Sequence, residues 1–505
     1  MSVHRGGDAA LAFATLSELR GRLERRELSS AELVEVLAAR VDALDRRGPR
    51  LESVLAMDPR AADRAARLDA ERAAGRVRGP LHGIPVLVKD NVETAGILGA
   101  TAGSLALSGV PVARDADAVV ALRRQGAIVL GKTNLSEWAN FRSRHSSSGW
   151  SAVGGQTRNP HALDRSPGGS SSGTAAAIAA GLSPVGVGTE TDGSIVCPAA
   201  MCGVVGLKPT HARIPAGGVI PLAATQDCVG PIARTVADAA LAFDAMCDHA
   251  MAGTAAVPLA LSAGPDGLAG ARIGVAREHY TGHDRATDEL FARALDAMRD
   301  AGAVLVDPAD VPTAAELARF DDELVVLTHE LHDGLDRYLA RRAGQRGDAP
   351  RSLAELVEFN EAHAREELAL FGQDLLVESA ATAGLDDAHY LECFERNRER
   401  ARRRGVDAAL AAAGVDALFT VTAEPAAPID HVNGDPPAVV SSSPAAVAGY
   451  PSVTIPIGSV RGLPVGASFV GPRGSEPTLV RLASGLEHVL GPGPRPRLGE
   501  HAPAG

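Results

Sequence analysis

Seven short apolar runs, rich in β-branched and small residues, punctuate the chain: Ile84–Val88, Ala127–Leu130, Val185–Thr189, Ile273–Val275, Val304–Val306, Ala417–Val421 and Val453–Ile457. Most are separated by stretches whose apolar residues recur at helical spacing. Ser29 and Glu32 form a capping-box pattern ahead of Leu33, Leu37, Val41 and Leu44, and further helical patterns lie near 115–125, 174–180 and 287–301. A run apolar on both faces is shielded only when helices cover both sides of its sheet, so the alternation predicts an α/β fold in three layers. Aromatics are only 3% of the residues, and a core of alanine, valine and leucine suits helices packed closely on a buried sheet. Length alone, 505 residues, would suggest two to four domains.

Charge narrows the partners. Fifty Lys and Arg against 62 Asp and Glu leave a formal net charge of −12. Nucleic-acid affinity rests largely on clustered basic charge, so no nucleic-acid partner is expected. The run RNRERARRR at 396–404 lies within a charged, helical-period stretch, 315–412, and reads as part of a solvated helical layer. Five cysteines, an odd number in a long chain, read as reduced thiols. Neither a signal-peptide pattern nor a membrane-length apolar run appears, so no membrane association and a cytoplasmic location are expected. The segment from Gly491, GPGPRPRLGEHAPAG, is expected to lack fixed structure.

Residues 142–173 change character, to RSRHSSSGWSAVGGQTRNPHALDRSPGGSSSG. The composition is that of a loop, but loops this long in compact domains are usually functional or disordered. Four short patterns in the chain fail on physical grounds. Gly169–Gly173 matches a nucleophile elbow centred on Ser171, yet no strand precedes it. His329 and His332 stand at i, i+3, whereas the zinc-protease helix needs i, i+4. Cys197 and Cys202 are too far apart for the usual structural-zinc spacing. GGSSSG lacks the lysine of a phosphate-binding loop.

Three features remain. Lys89 ends an apolar strand, the position where open α/β sheets place their chemistry. Ser170 lies at the mouth of an alanine-rich helix. Ser194 follows in a second turn, Glu190-Thr191-Asp192-Gly193-Ser194, and the intervening helix and strand can fold the two turns together. Taken alone, each Gly/Ser turn reads as a helix cap.

The long segment GGSSSGTAAAIAAGLSPVGVGTETDGSIVCPAAMCGVVGLKPT resembles the glycine- and serine-rich signature of the amidase signature family. RGPLHGIPVLVKDN, GKTNLSEWANFRS, GGQTRNP, TQDCVGPIARTVAD, SSSPAAVAGYPSVTIPIG and GLPVGASFVG are similar to other segments of that family, in order, across residues 8–490. The resemblance implies one α/β/α domain around a large mixed β-sheet, replacing the multi-domain expectation. It implies a Ser–Ser–Lys triad with Ser194 as nucleophile, Ser170 as the serine preceded by a cis peptide, and Lys89 as base. The backbone N–H groups of Thr191, Asp192, Gly193 and Ser194 would hold the oxyanion. Such chemistry is sensible, because a serine hydroxyl is a weak nucleophile until a base takes its proton, and a buried lysine is more readily neutral.

The family usually carries two glycines before the nucleophile, where this chain has Asp192-Gly193, whose carboxylate can brace the turn or meet a substrate amine. The variant ETDGSIVCPA is similar to the peptide-amidase branch, which implies release of ammonia from C-terminal peptide amides. The rivals are a general aryl or aliphatic amidase, a non-catalytic binding protein and a glutamine-hydrolysing amidotransferase subunit. The expected partner is a small-molecule or peptide amide, with no obligate partner protein, cofactor or metal. Glu424, at the end of a strand, is expected to affect substrate preference. Trp138 and Trp150 are candidates for the pocket wall or the core, Asp227 for bracing the site loops, and His145 for an exposed loop.

Overall fold

The computed structural model describes residues 10–96, 98–247, 257–343, 349–437 and 439–498. Eleven strands make one mixed sheet: β1 (Val54–Met57), β2 (Pro85–Lys89), β3 (Ile128–Thr133), β6 (Val185–Glu190), β7 (Val205–Lys208), β8 (Cys228–Ala233), β9 (Arg272–Val275), β10 (Val304–Val306), β11 (Ala417–Val421), β12 (Ser452–Val460) and β13 (Leu463–Val470). The short pair β4 (Trp150–Ser151) and β5 (Gly155–Gln156) forms a separate hairpin. The sheet order is β1-β3-β2-β6-β8-β7-β12-β13-β11-β9-β10. Every residue of β2, β3, β6, β7, β8 and β11 is buried, as the uninterrupted apolar runs require. This is the α/β fold with a large mixed sheet that the sequence predicts.

Register positions the chemistry. β2 runs parallel to both β3 and β6, with Val88 opposite Val187, so Lys89 ends up beside the last residues of β6. The helix Ser172–Ala179 starts just after the first Gly/Ser turn and is buried along its length. Alanines and Gly173 allow that, since a Cβ on Gly173 would fall 2.4 Å from the Ser53 carbonyl oxygen. The helix Val196–Cys202 starts just after the second turn. Both turns therefore open at the same end of the sheet.

The loop 142–173 is packed by its polar side chains. Asn134 Nδ2 donates to the carbonyls of Gly149 and Gly155 and to Thr157 Oγ1, and Gln156 Nε2 donates to the carbonyls of Ser148 and Thr157. Arg142 is fully buried, paired with Glu137 at 2.5 Å and Glu367 at 3.7 Å, its guanidinium 4.0 Å from the Phe371 ring centroid. A polar loop can be internal when its backbone groups find such partners.

The charged stretch 315–412 forms the helices Asp321–Ala343, Leu353–Ala362, Asp374–Ala380 and Ala388–Ala401, with shorter ones between and after them. Its basic run is taken up by ion pairs: Arg396 and Arg400 with Asp322, Arg400 and Arg404 with Glu316, and Arg403 with Glu399. The layer is more than a solvated cover, because Glu323, Leu327 and Glu330 are buried. Of the tail from Gly491, residues 491–498 run along the body, with Arg495 over the Phe13 ring and Leu498 against the main core. The remainder lies outside the described residues. No helix among the described residues is long and apolar enough to cross a membrane.

Candidate active site

Three lysines are fully buried at or near strand ends, and their partners separate them. Lys132 lies 3.6 Å from the Asp90 carboxylate and donates to the carbonyls of Val92 and Gly99. Lys208 donates to the carbonyls of Pro209 and Tyr450. Lys89 Nζ instead meets Ser170 Oγ at 2.8 Å, Thr189 Oγ1 at 2.9 Å and the Thr189 carbonyl at 3.2 Å, with no carboxylate in ion-pair range among the described residues. Burial drives its pKa from 10.5 down to about 7, against smaller upward pulls from Asp227 and Glu190. Lys132 also reaches the Thr94 hydroxyl, at 3.4 Å, but of the three only Lys89 meets two hydroxyls within 3 Å and no carboxylate among the described residues.

The Gly169–Ser170 peptide is cis, as the sequence resemblance implies. Ser171 follows at the helix N-terminus, its Oγ donating to the Thr189 carbonyl, which leaves it bound to the end of β6. Its N–H donates to the Ser194 carbonyl at 3.1 Å and clamps the first turn to the second. Lys89, Ser170 and Ser194 are thereby brought together. The first link, amine to Ser170, is made; no hydrogen bond joins the Ser170 and Ser194 hydroxyls among the described contacts. Ser170 is wholly buried, whereas Ser194 lines a cavity.

The second turn is held by its flanks, leaving its own N–H groups free. Glu190 Oε2 accepts from the N–H groups of Ile195 and Val196, at 2.7 and 3.0 Å, and anchors the start of the following helix. Thr191 Oγ1 donates to Asp227 Oδ1 at 2.6 Å, while Asp227 Oδ2 accepts from the N–H groups of Leu222 and Ala223. Burial raises the Asp227 carboxyl to about 6. Ser443 Oγ donates to Asp192 Oδ2 at 2.6 Å. Among the described residues, no protein acceptor takes the N–H groups of Thr191, Asp192, Gly193 or Ser194. Gly193 has φ +81°, a left-handed conformation, and a Cβ there would lie 2.9 Å from Ser442 Oγ. Consecutive unpaired amides at a rigid turn are what a developing oxyanion requires.

The cavity measures about 530 Å³ and is lined by Thr191–Ser194, Gly168 and Gly169 on one side and by Phe141, Tyr280, Phe320, Leu327 and Val440 on others. That is within the roughly 300–1,000 Å³ of small-ligand sites. Glu424 and Asp435 also line it, with His279 and His283, and no lysine or arginine among the described residues does. Trp138 and Trp150 do not reach it: Trp138 packs in an apolar cluster and Trp150 lies edge-on to Phe371. Ala139, Asn140 and Phe141, which follow Trp138, line it instead. His145 lies off the cavity lining, its N–H bonded to Ser143 Oγ. Cys197 lines the cavity, but burial pushes its thiol up to about 12; Cys202 packs in an apolar cluster. His329 Nδ1 and His332 Nδ1 meet the Val325 carbonyl and Thr382 Oγ1.

Sequence reasoning missed Thr189, the second oxygen partner of Lys89, and Asn91, whose Nδ2 donates to Thr189 Oγ1 at 2.9 Å. It also missed Gln226 and Glu323 behind the second turn. Asn91 stands two residues after Lys89, in the turn that leaves β2, and that nearness was the available signal for it.

This sheet, with a buried lysine on serine and a turn of open amides over one cavity, is the framework of an amide-hydrolysing enzyme. The chain belongs to the amidase signature family: a family model described as Amidase matches residues 32–480. It is 46% identical to the native peptide amidase of Stenotrophomonas maltophilia, with a TM-score of 0.90, covering 96% of this chain and 99% of that one. A structure of peptide amidase PAM with the competitive inhibitor chymostatin matches at 47% identity and a TM-score of 0.91, with coverage of 96% and 99%. A probable amidase of Arabidopsis thaliana is 34% identical over 94% of this chain and 90% of its own length. A glutamyl-tRNA(Gln) amidotransferase subunit of Roseiflexus sp. (strain RS-1) is 35% identical, over 94% and 96%.

Proposed function

We propose that this amidase works through an acyl-enzyme on Ser194 and removes the terminal nitrogen of C-terminal peptide amides, giving the free acid and ammonia. Neutral Lys89 takes a proton from Ser170 Oγ, which takes one from Ser194 Oγ as that oxygen attacks the amide carbon. The oxyanion settles on the N–H groups of Thr191, Asp192, Gly193 and Ser194. Its collapse breaks the carbon–nitrogen bond, and the proton held on Lys89 passes back through Ser170 to the departing ammonia. Water then attacks the ester through the same relay, losing one proton to it, and Ser194 recovers its hydrogen as the acid leaves.

One observation carries the reading: an amine with a pKa of about 7 lies 2.8 Å from Ser170 Oγ, beside a cavity bordered by four free amides. The peptide-amide substrate is supported by 47% identity with peptide amidase PAM. The Glu424 and Asp435 carboxylates, without a lysine or arginine among the described lining residues, favour neutral and cationic acyl groups over anionic ones. Similarity to the Roseiflexus amidotransferase chain favours glutamine hydrolysis as the second reading.

The test is ammonia release by the purified chain across peptide amides, aryl amides and glutamine, with Ser194→Ala as the control. Brisk turnover of peptide amides, lost in the folded variant, is the expected result. Turnover of glutamine alone would replace the substrate, and full activity in Ser194→Ala would remove the nucleophile.

A further inference from the structure

Behind the second turn lies an arrangement the proposed chemistry does not use. Glu323, near the start of the helix Asp321–Ala343, is 2% exposed, and its Oε1 accepts from Gln226 Nε2 at 2.8 Å. The same Gln226 nitrogen donates to the Thr191 carbonyl at 3.3 Å. The Glu323 carboxyl also lies within hydrogen-bonding reach of the Asp192 carboxyl. Two oxygens here have no other partner among the described residues: Asp192 Oδ1 and Glu323 Oε2 are both shut off from solvent and take no hydrogen bond from any donor. Glu323 is buried and Asp192 partly so, and two carboxylates this close repel, while each shut-off oxygen lacks a donor; a single proton placed between them removes both penalties.

We propose that Asp192 and Glu323 share one proton, carried by Glu323 Oε2 and donated to Asp192 Oδ1, and that this bond holds the oxyanion turn in register. Glu323 is therefore a positioning residue for the proposed reaction, acting through the turn rather than touching substrate. It grips the turn twice, directly at Asp192 and through Gln226 at the Thr191 carbonyl.

The surroundings decide which partner carries the proton. Burial raises Asp192 too, but the hydroxyls of Ser442 and Ser443, the latter donating to Oδ2, and Lys208 on β7 all favour its anion. Glu323 has the Gln226 amide and no cation acting on it, and burial together with the Asp192 charge pushes it well above the carboxylate range. The other titratable groups around Asp192 are Glu190 at the end of β6, Cys197 on the helix Val196–Cys202, and Tyr280. On the helix of Glu323, Asp322 is held by Arg396 and Arg400, while Glu330 accepts from Thr225 and Tyr390.

This inference rests on the proposed role of the turn, so its test combines kinetics with a readout independent of turnover. Glu323→Gln keeps an acceptor for Gln226 and gives Asp192 a permanent N–H donor; Glu323→Ala does neither. In the wild type, kcat should fall on the alkaline side as the shared proton is lost. Glu323→Gln should keep most of the turnover and lose that alkaline fall, whereas Glu323→Ala should lose kcat by about 10- to 100-fold, below the full effect of a missing oxyanion donor, with KM little changed. Separately, infrared difference spectra in a Ser194→Ala background at pH 8 should show a protonated-carboxyl C=O band that disappears in Ser194→Ala/Glu323→Gln. An absent band overturns the shared proton, whatever the nucleophile proves to be. A wild-type alkaline limb in Glu323→Gln, or wild-type kcat in Glu323→Ala, overturns its role in positioning.

Discussion

The Lys89 amine is the most sharply testable group in the protein, because its burial has a thermodynamic signature as well as a kinetic one. Its pKa falls from 10.5 to about 7 on folding, and desolvation is the main cause. At pH 7 about half the folded molecules hold a neutral amine, against roughly one in 3,000 for an ordinary lysine, a gain of about 1,500-fold in available neutral amine. Between pH 7 and 10.5 the unfolded chain binds the proton that the folded chain has released. Wild-type stability therefore gains from this residue as pH rises through that window, and below pH 7 the folded state bears the full cost of the buried charge. Lys89→Met keeps the length of the side chain and has no proton to bind. The stability difference, variant minus wild type, should shrink by about 3 kcal/mol between pH 6 and 9.5, at about 1.4 kcal/mol per pH unit above 7. Urea unfolding at a series of pH values, followed by circular dichroism, measures it. Wild-type kcat/KM should rise close to tenfold per pH unit below 7 and level off just above it, before the separate alkaline fall expected from loss of the Asp192–Glu323 proton. A stability difference that stays flat with pH, or a rate that does not change across pH 7, would refute the neutral-amine reasoning.

Three further expectations come from the same geometry. Gly193→Ala combines φ +81° with a Cβ 2.9 Å from Ser442 Oγ, and should lower kcat by about 100- to 1,000-fold in steady-state assays, with the fold retained by circular dichroism. Arg142→Ala strands the buried carboxylates of Glu137 and Glu367 beside the Phe141 wall, and should cost about 3–5 kcal/mol in denaturant unfolding. Cys197 lines the cavity with its thiol pushed up to about 12, so it should resist iodoacetamide at pH 8 in the folded protein and react on unfolding, as followed by mass spectrometry.

Much of this was legible from local pattern. Six of the seven apolar runs marked buried strands, Val304–Val306 forming the partly exposed edge strand β10, and the Ser29–Glu32 capping box is formed as written, Ser29 Oγ accepting from the Glu32 N–H and the Glu32 carboxylate from the Ser29 N–H. The family segments brought Lys89, Ser170 and Ser194 to attention, and the fold gathers them at one end of β2 and β6. What stayed hidden was set by distance along the chain. Glu323 and Gln226 meet behind the turn only because a helix that reads as a charged surface element packs against the segment leading into the central strand β8. Of the two readings open for the tryptophans, the core one holds, and after the left-handed backbone at Trp138, Ala139 and Asn140 it is Ala139, Asn140 and Phe141 that line the cavity. The three buried lysines could not be ranked by sequence either, since Asp90 neutralises Lys132 and carbonyls hold Lys208, contacts that only the packed sheet reveals.

The account stands or falls on where substrate carbon becomes attached. Acid-quenched turnover of a peptide amide, digested and mapped by tandem mass spectrometry, should place the acyl group on Ser194 Oγ and nowhere else, with none retained in Ser194→Ala. An acyl group on another residue, or continued turnover by that variant, would contradict it.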